Sequence, residues 1–316
     1  MRRAPRAGPG CSSPRSPWSG AGAGRPPRRP PCGPCASPDP ASWPSPDNSR
    51  PTVGLLMLRL SPAGSEVHNP ATTMARGPLL PYTAQTTYRD QYRAARPGWM
   101  SSGDQFDLVV QKHLTPESTV LDLGCGRTGG IERFWRQARM AVGVDTDLGS
   151  LVARGHGMSV LQGGGEHLPF ADASFHMVVS VWVLEHLETP ENVFAEVVRV
   201  LKPGGHFIFL TPNALNPLVL GNRVGQLAPW LQKQLVSNVY GRDGSDTFAV
   251  RYRANTSSRI REMAAATGFD VAELKVIADP TYVAFNALMF KAAMLSDRML
   301  PAGLGVHFLG DLQKRT

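Results

Sequence analysis

The chain has 316 residues, of which 42% are hydrophobic, and carries a formal net charge of +8. The charge is concentrated at one end: residues 1–73 hold nine arginines, no lysine and three acids, whereas residues 74–316 carry a net charge of only +2. Because the basic character belongs to this first segment, charge gives no support for a nucleic-acid-binding surface on the rest of the chain. No apolar run reaches the roughly 20 residues of a transmembrane helix.

Residues 1–73, the leader, are rich in Pro, Arg, Gly and Ser and contain 16 of the 28 prolines. Such a composition buries too little apolar surface to offset the entropy of ordering, so we predict a disordered leader. An Arg-rich transit peptide, which the prolines disfavour, and upstream sequence translated in error before Met74 both stay open. Cys32 and Cys35 have redox-motif spacing but no flanking strand or helix, so we assign them no function. With no disulfide framework, a cytoplasmic location is expected.

From about residue 80 the pattern alternates between strands and helices, which predicts one α/β domain at 74–316 with a parallel sheet covered on both faces. The predicted strands are 119–123, 140–145, 158–162, 176–182, 205–211, 269–277 and 305–313. The predicted helices are 103–113, 129–138, 148–154, 190–201, 256–267 and 282–299.

Two segments, 212–255 and 279–304, are longer than such a sheet needs, and we interpret them as inserts at the carboxyl edge of the strands. Loops at that edge commonly cover a substrate pocket. For the second insert a packed amphipathic helix, a lid and a peripheral membrane contact all stay open.

A glycine-rich turn after the first predicted strand is the most informative motif. Asp122 lies near the tip of that strand, and Gly124, Cys125 and Gly126 follow it. Glycines permit backbone angles closed to other residues and let a ligand approach the main chain, so the motif indicates nucleotide binding. The spacing also fits a dinucleotide fingerprint, with Asp145 in place of its ribose-binding acid. On this motif alone a nicotinamide dehydrogenase stays open.

Four segments together resemble a class I S-adenosylmethionine-dependent methyltransferase of the small-molecule type, similar to the ubiquinone/menaquinone-biosynthesis-like superfamily. They are VLDLGCG at 120–126, VGVD at 142–145, LPFADASF at 168–175 leading to LEH at 184–186, and RVLKPGG at 199–205. The resemblance covers roughly residues 90–315. It implies a doubly wound, Rossmann-like, seven-stranded and mostly parallel sheet with an antiparallel last strand. It also implies S-adenosyl-L-methionine as cofactor, without a metal.

The resemblance assigns roles at the tips of the first two strands. Asp122 and the backbone of residues 124–126 would face the methionine end of the cofactor, where a carboxylate suits an ammonium group. Asp145 would accept hydrogen bonds from both ribose hydroxyls. A helix N-cap is the alternative for Asp145, although Thr146 or Asp147 fits that role equally well.

The adenine side departs from the family pattern. Such proteins often carry Gly-Asp-Ala-Glu before Leu-Pro-Phe, with the Asp holding the adenine amine, whereas residues 163–166 here read Gly-Gly-Gly-Glu. Gly164 supplies no carboxylate, so adenine recognition would fall to backbone groups or to Glu166. The remaining predicted cofactor contacts are Thr146, Ser180 and Val181.

For the reaction we predict methyl transfer to a small-molecule acceptor, more readily at oxygen than at carbon or nitrogen. In-line transfer is promoted mainly by alignment, and an oxygen nucleophile benefits from a base. His186, just past the fourth strand, is the predicted base, with a helix cap or loop hydrogen bond as the alternative. The predicted acceptor-binding residues, suited to a polar or anionic glycan, lipid head group or other metabolite, are Tyr240, Arg242, Arg251, Tyr252 and Arg253.

The missing acid at Gly164 and the apolar segment 284–300 leave a second function open: a non-catalytic S-adenosylmethionine-binding interaction module. Residues 88–99 are dense in aromatics and Arg and either fold over the cofactor or pack as an amphipathic helix. No nucleic-acid partner is expected, because the chain lacks the Asn-Pro-Pro-aromatic tetrapeptide of base-methylating relatives. The sequence does not indicate an oligomeric state.

Overall fold

A computed structural model of the protein describes residues 57–58, 82–154, 157–217, 219–220, 249–283, 287–299 and 301–316. The strands are β1 (Met57–Leu58), β2 (Thr119–Leu123), β3 (Met140–Asp145), β4 (Ser159–Gln162), β5 (Phe175–Val181), β6 (Leu201–Pro212), β7 (Phe269–Ile277) and β8 (His307–Lys314). The α-helices are α1 (Tyr82–Ala95), α2 (Ser102–His113), α3 (Leu148–Ala153), α4 (Pro190–Val200), α5 (Ser257–Thr267) and α6 (Ala287–Met299).

The strands form one sheet of order β1-β4-β3-β2-β5-β6-β8-β7. The five strands from β4 to β6 pair in parallel, whereas β8 is antiparallel to both β6 and β7. This confirms the predicted doubly wound, Rossmann-like sheet with an antiparallel last strand. The two-residue β1, antiparallel to β4, adds an edge strand that the pattern did not predict. The strand order reverses between β2 and β5, and ligands of such sheets bind outside the carboxyl ends at that reversal.

Burial of the central strands follows from helices on both faces. All five residues of β2 are buried, as are five of the seven residues of β5 and the last six residues of β6. One face carries a cluster of aromatic side chains from α4, β6 and β7, including Phe194, Phe207 and Phe269. The other face packs against Phe106 and Val110 of α2. Strands covered on both faces read as continuous apolar runs, which explains why the sequence located them closely.

The predicted helix at 129–138 is wrong. The structure has a series of turns there, followed by a 3₁₀ helix at Trp135–Gln137. The N–H groups of Glu132, Phe134 and Gln137 donate three residues back, which is the 3₁₀ pattern. The N–H of Ile131 donates instead to the carboxylate of Asp122, at 3.2 Å, so the segment is held against β2 rather than wound as an α-helix.

Part of the segment at 88–99 is helical and packs on the domain, while a contact with the cofactor stays a prediction. The segment contributes to α1, whose Tyr92 is buried against Trp99 (ring centroids 4.8 Å apart) and lies in one cluster with Phe290 of α6. Trp99 Nε1 donates to the carbonyl of Ala278, at 3.2 Å. For the predicted helix at 282–299 the structure describes a 3₁₀ helix, Pro280–Val283, and α6, while residues 284–286 lie outside the described residues. Among the described residues, no helix is long and apolar enough to cross a bilayer.

Candidate cofactor and acceptor site

The glycine turn lies at the strand-order reversal and requires glycine at two positions. Gly124 has a φ of +74° and Gly126 a φ of +46°. A Cβ on Gly124 would lie 2.1 Å from Cγ2 of Val183, so no side chain fits there. The N–H groups of Gly124 and Cys125 both donate to the carbonyl of Val144, at 2.8 and 3.2 Å. The turn is therefore held against the end of β3 with its main chain at the carboxyl edge of the sheet.

Cys125 fills space inside this turn. Its side chain is fully buried, and a Cβ on Gly143 would come within 2.5 Å of its sulfur. Burial raises the pKa of the Cys125 thiol to about 12. The thiol is therefore protonated at neutral pH and is a packing group, while the predicted cofactor contact of this residue concerns its backbone.

Asp122 is fully buried and holds the turn that follows the glycines. Oδ2 accepts the Ile131 N–H, and a Cβ on Gly129 would lie only 1.8 Å from that oxygen. Oδ1 is buried without a hydrogen-bond partner among the described residues. Burial, opposed by the backbone hydrogen bonds, raises the Asp122 pKa to about 6. Its first role is to fix the turn; the predicted contact with the methionine ammonium rests on Oδ1 and stays a prediction.

Asp145 joins the glycine turn to the next loop. Its Oδ2 accepts the Gly126 N–H and its Oδ1 the Asp147 N–H, both at 2.8 Å. The N-cap of α3 is Asp147, whose carboxylate accepts the N–H groups of Gly149 and Ser150, so the capping alternative for Asp145 does not hold. Each carboxylate oxygen of Asp145 keeps a second lone pair, which leaves capacity for the predicted ribose hydroxyls.

Arg154, at the end of α3, supports the turn from behind and was not predicted. Its Nη1 donates to the carbonyls of Cys125 and Gly126, at 2.8 and 3.2 Å, and its Nη2 pairs with Glu132. The side chain is only 2% exposed. In sequence, an Arg after a short helix is typical of a cation that interacts with the helix dipole, so nothing singled it out.

On the predicted adenine side, Gly164 has open space beside it. A Cβ on Gly164 would meet Cγ2 of Thr146 at 3.9 Å, which is ordinary contact, and the residue does not have a positive φ. Thr146 is exposed, and its carbonyl accepts Gln162 Nε2 at 3.2 Å. The Glu166 carboxylate accepts the hydroxyl of Thr189. Cofactor contacts of Thr146 and Glu166 stay predictions.

The end of β5 forms the other side of the reversal. Ser180 is fully buried and its Oγ has no partner among the described residues. Val181 packs against the turn after the glycines, since a Cβ on Gly130 would lie 2.9 Å from its Cγ2. Trp182 has a φ of +60°, which is uncommon for a bulky residue and marks a strained position.

Trp182, Tyr282 and His307 form an aromatic wall next to the end of β5. The Trp182 ring stacks on Tyr282, with centroids 5.5 Å apart, and meets His307 edge-on at 4.6 Å. His307 Nδ1 lies 2.7 Å from the hydroxyl of Ser102, and burial lowers the His307 pKa to about 4. The wall is therefore uncharged at neutral pH.

The predicted base His186 lies in the 3₁₀ helix Leu184–His186, just past β5. Its Nδ1 is 3.2 Å from the carbonyl of Ala249, which can only accept, so Nδ1 carries the proton. In the neutral ring the lone pair is then on Nε2, 3.9 Å from Oε1 of Glu185. Burial lowers the His186 pKa, which keeps the ring neutral at physiological pH.

Glu185 is a buried acid beneath this histidine that the sequence-based prediction passed over. Its Oε2 accepts the Thr211 hydroxyl at 3.1 Å, and Thr211 in turn accepts Asn255 Nδ2 at 2.6 Å. Burial raises the Glu185 pKa to about 7. Perturbed acids cluster at functional sites, and an acid just past a buried strand was the feature that could have indicated it.

The predicted acceptor-binding residues are only partly described. Tyr240 and Arg242 lie outside the described residues. The N–H groups of Arg251 and Tyr252 both donate to the Glu185 carbonyl, at 2.7 and 3.0 Å. The guanidinium groups of Arg251 and Arg253 both contact Glu188. Arg251 pairs with the Glu188 carboxylate at 2.5 Å, and Arg253 donates to the Glu188 backbone carbonyl at 2.6 Å. This part of the first insert therefore lies against His186, while acceptor binding by these side chains stays a prediction.

Comparisons with known proteins agree with this geometry. Residues 121–209 match a family model described as a methyltransferase domain. A protein of Mycolicibacterium smegmatis named "Probable S-adenosylmethionine-dependent methyltransferase" is 36% identical over 34% of this chain and 44% of its own length. A fatty-acid O-methyltransferase of the same organism is 39% identical over 28% of this chain and 35% of its own length. The ubiquinone biosynthesis O-methyltransferase of Hahella chejuensis is 37% identical over 34% of this chain and 49% of its own length.

The chain spans less than half of the length of each of these curated relatives. Residues 121–209, which match the family model, contain the glycine turn, Asp145, and the strands on both sides of the reversal. These residues therefore match a methyltransferase domain, and the chain is similar to class I S-adenosylmethionine-dependent methyltransferases, whose cofactor is S-adenosyl-L-methionine.

Proposed function

We propose that the protein transfers a methyl group from S-adenosylmethionine to an oxygen atom of a small, largely apolar acceptor. The single observation that carries the proposal is the carboxyl edge at the reversal, where a glycine turn without room for side chains packs against Val183, three residues before His186. The cradle fits the cofactor, because Gly124 and Gly126 leave the main chain open and Asp145 offers a carboxylate at its rim. The sulfonium, when bound, supplies an activated methyl group.

The residues of the chain would contribute binding, positioning and one proton acceptor. The main chain of residues 124–126 would hold the methionine end, and Asp145 would hold the ribose. Ser180, buried with an unpaired hydroxyl among the described residues, lies near the end of β5, on the side of β2 opposite to β3 and Asp145. His186 Nε2, which carries the lone pair of the neutral ring in this tautomer, would take the proton that an acceptor hydroxyl loses, whereas a carboxylate acceptor is already ionised and needs no base.

An apolar acceptor is supported by the surface beyond the aromatic wall. The 3₁₀ helix Pro280–Val283, which carries Tyr282, contacts both α1 and α6. Between those two helices lies a groove of about 580 Å³, lined in part by Tyr88, Phe290 and Met294. Two relatives are named for a fatty acid and for ubiquinone biosynthesis, which agrees with an acceptor that has an apolar chain. The prediction of a polar or anionic group then applies to the reacting end, and we propose a cytoplasmic site of action.

The test begins with calorimetric binding of S-adenosylhomocysteine to the full chain, with NAD as the control. We expect binding of the former alone. Labelled S-adenosylmethionine is then offered with long-chain fatty acids, prenylated phenols and their short-chain analogues. His186→Gln should lower kcat at least tenfold with unchanged S-adenosylhomocysteine affinity, whereas the exposed control His167→Gln should change neither.

Three outcomes would contradict the proposal in different ways. Binding without turnover on any acceptor would favour the non-catalytic interaction module. Absence of S-adenosylhomocysteine binding by the folded chain would refute cofactor use altogether. Equal turnover of long and short acceptors would leave methyl transfer intact and remove the role of the groove.

A further inference from the structure

Two histidines and an aspartate from three different elements converge away from the glycine turn. His113 is the last residue of α2, His206 lies on β6, and Asp311 lies on β8. His113 Nε2 is 2.9 Å from one carboxylate oxygen of Asp311, and His206 Nδ1 is 2.7 Å from the other. The two imidazole rings stack with centroids 3.7 Å apart, and one potential ligand atom from each residue lies within 4.8 Å of the others.

This cluster is separate from the candidate active site. His206 comes five residues before Thr211, the residue that contacts Glu185, so the two positions are about 16 Å apart along β6. His206 is also paired with Met177, near the start of β5, whereas the cofactor edge is at the end of that strand. The reaction proposed above uses none of the three residues.

The surroundings favour a positive charge at this point. The Asp311 side chain is only 2% exposed, so its carboxylate has lost most of its hydration and needs compensation. His113 ends α2, and the carbonyls at a helix carboxyl terminus add a partial negative charge. Both imidazole nitrogens that face the carboxylate must carry protons in the hydrogen-bonded form. A divalent cation would replace those protons, and each ring would carry its proton on the other nitrogen.

The donor set indicates which cations fit. Two imidazole nitrogens and one carboxylate oxygen form a borderline-soft, three-ligand set that suits zinc and similar transition metals, whereas magnesium and calcium prefer oxygen alone. We propose that His113, His206 and Asp311 bind one divalent transition-metal cation, zinc above all. Such an ion would link α2 to β6 and β8 and leave a coordination position for water.

The test is a zinc titration of the metal-free full chain followed by calorimetry. Cys11, Cys32 and Cys35 are replaced by serine in every sample, because a pair of leader thiolates would bind zinc itself. We expect one site with a Kd of micromolar or below, no heat with magnesium, and an unfolding midpoint that rises with zinc concentration. Cobalt should give the absorption bands of a tetrahedral site.

The matched variants are His113→Asn and the exposed control His167→Asn. The first, at a helix end, should weaken zinc binding at least 30-fold and abolish the zinc-dependent rise of the unfolding midpoint; the control should retain both. If the full chain binds no zinc, the cluster is held by protons alone and the proposal is wrong. Equal zinc affinity in His113→Asn and the control would place the metal elsewhere and refute it as well. Should His113→Asn not fold, Asp311→Asn replaces it with the same expectation.

Discussion

Replacing Gly164 by aspartate is the perturbation that most directly tests how this chain recognises adenine. By the family resemblance, the position is one where such proteins often carry an acid that holds the adenine amine. A Cβ there meets its nearest heavy atom, Cγ2 of Thr146, at 3.9 Å, and the backbone does not have a positive φ. An aspartate therefore fits without displacing a neighbour, and we expect Gly164→Asp to tighten cofactor binding.

The expected gain follows from one new charge-assisted hydrogen bond. Such bonds contribute about 1.5–3 kcal/mol, and the half-buried position favours the lower end of that range. A gain of about 1.4 kcal/mol is a tenfold change in Kd. Isothermal titration with S-adenosylhomocysteine should show this tenfold tightening for Gly164→Asp and little change for Gly164→Ala, which adds a side chain without a carboxylate.

Two controls isolate the cause. S-inosylhomocysteine has a carbonyl in place of the adenine amine, so the new carboxylate should weaken its binding rather than strengthen it. Gly165→Asp, one residue on, should destabilise the fold, because a Cβ there comes within 3.2 Å of Leu123 and Val193. The reasoning is refuted if folded Gly164→Asp binds S-adenosylhomocysteine no better than wild type, or if both ligands gain equally.

Three further changes test the supports of the site. Asp145→Asn leaves either the Gly126 N–H or the Asp147 N–H without an acceptor, because an amide has only one oxygen. Calorimetry should therefore show at least tenfold weaker S-adenosylhomocysteine binding. Arg154→Gln should cost about 2 kcal/mol in urea unfolding, because it leaves carbonyls of the glycine turn unpaired, whereas the exposed Arg133→Gln should cost almost nothing. Glu185 has a raised pKa of about 7, so its protonated form favours folding and that stability is lost as pH rises from about 4.5 through 7. Glu185→Gln should remove this dependence. At pH 8 its free energy of unfolding should exceed that of the wild type by about 3 kcal/mol, measured as a higher urea midpoint.

The sheet could be predicted because its determinants are local. A strand covered on both faces must be apolar along its whole length, and β2, β3 and β7 begin and end where the pattern placed them. The antiparallel direction of β8 came from the family resemblance rather than from any periodicity. The helix predicted at 129–138 is wrong: several N–H groups there donate three residues back, and the start of the segment is tied to Asp122 by the Ile131 N–H, a contact that the local pattern does not encode.

The site was predictable to the extent that its chemistry is carried by the main chain and by strand tips. Gly124, Gly126 and Asp145 could be singled out because backbone angles and strand ends leave clear sequence patterns. Arg154 could not, since its role depends on burial and on partners far along the chain, which the spacing of residues does not encode. For Glu185 the sequence offered one signal, its place just past a buried strand, while its bond to Thr211 is not encoded locally.

Asp122 offers a final test, because two roles for its carboxylate make opposite predictions. As a support for the turn it needs only an acceptor for the Ile131 N–H, which the amide oxygen of Asn also provides. As a partner of the methionine ammonium, through the buried Oδ1, it needs its charge. Asp122→Asn should then weaken S-adenosylhomocysteine at least tenfold and leave methylthioadenosine, which lacks the amine, unchanged. A parallel loss for both ligands, or none for either, would show that Asp122 acts only on the turn. We expect the selective loss, because a buried carboxylate oxygen without a partner is costly unless a bound cation compensates it.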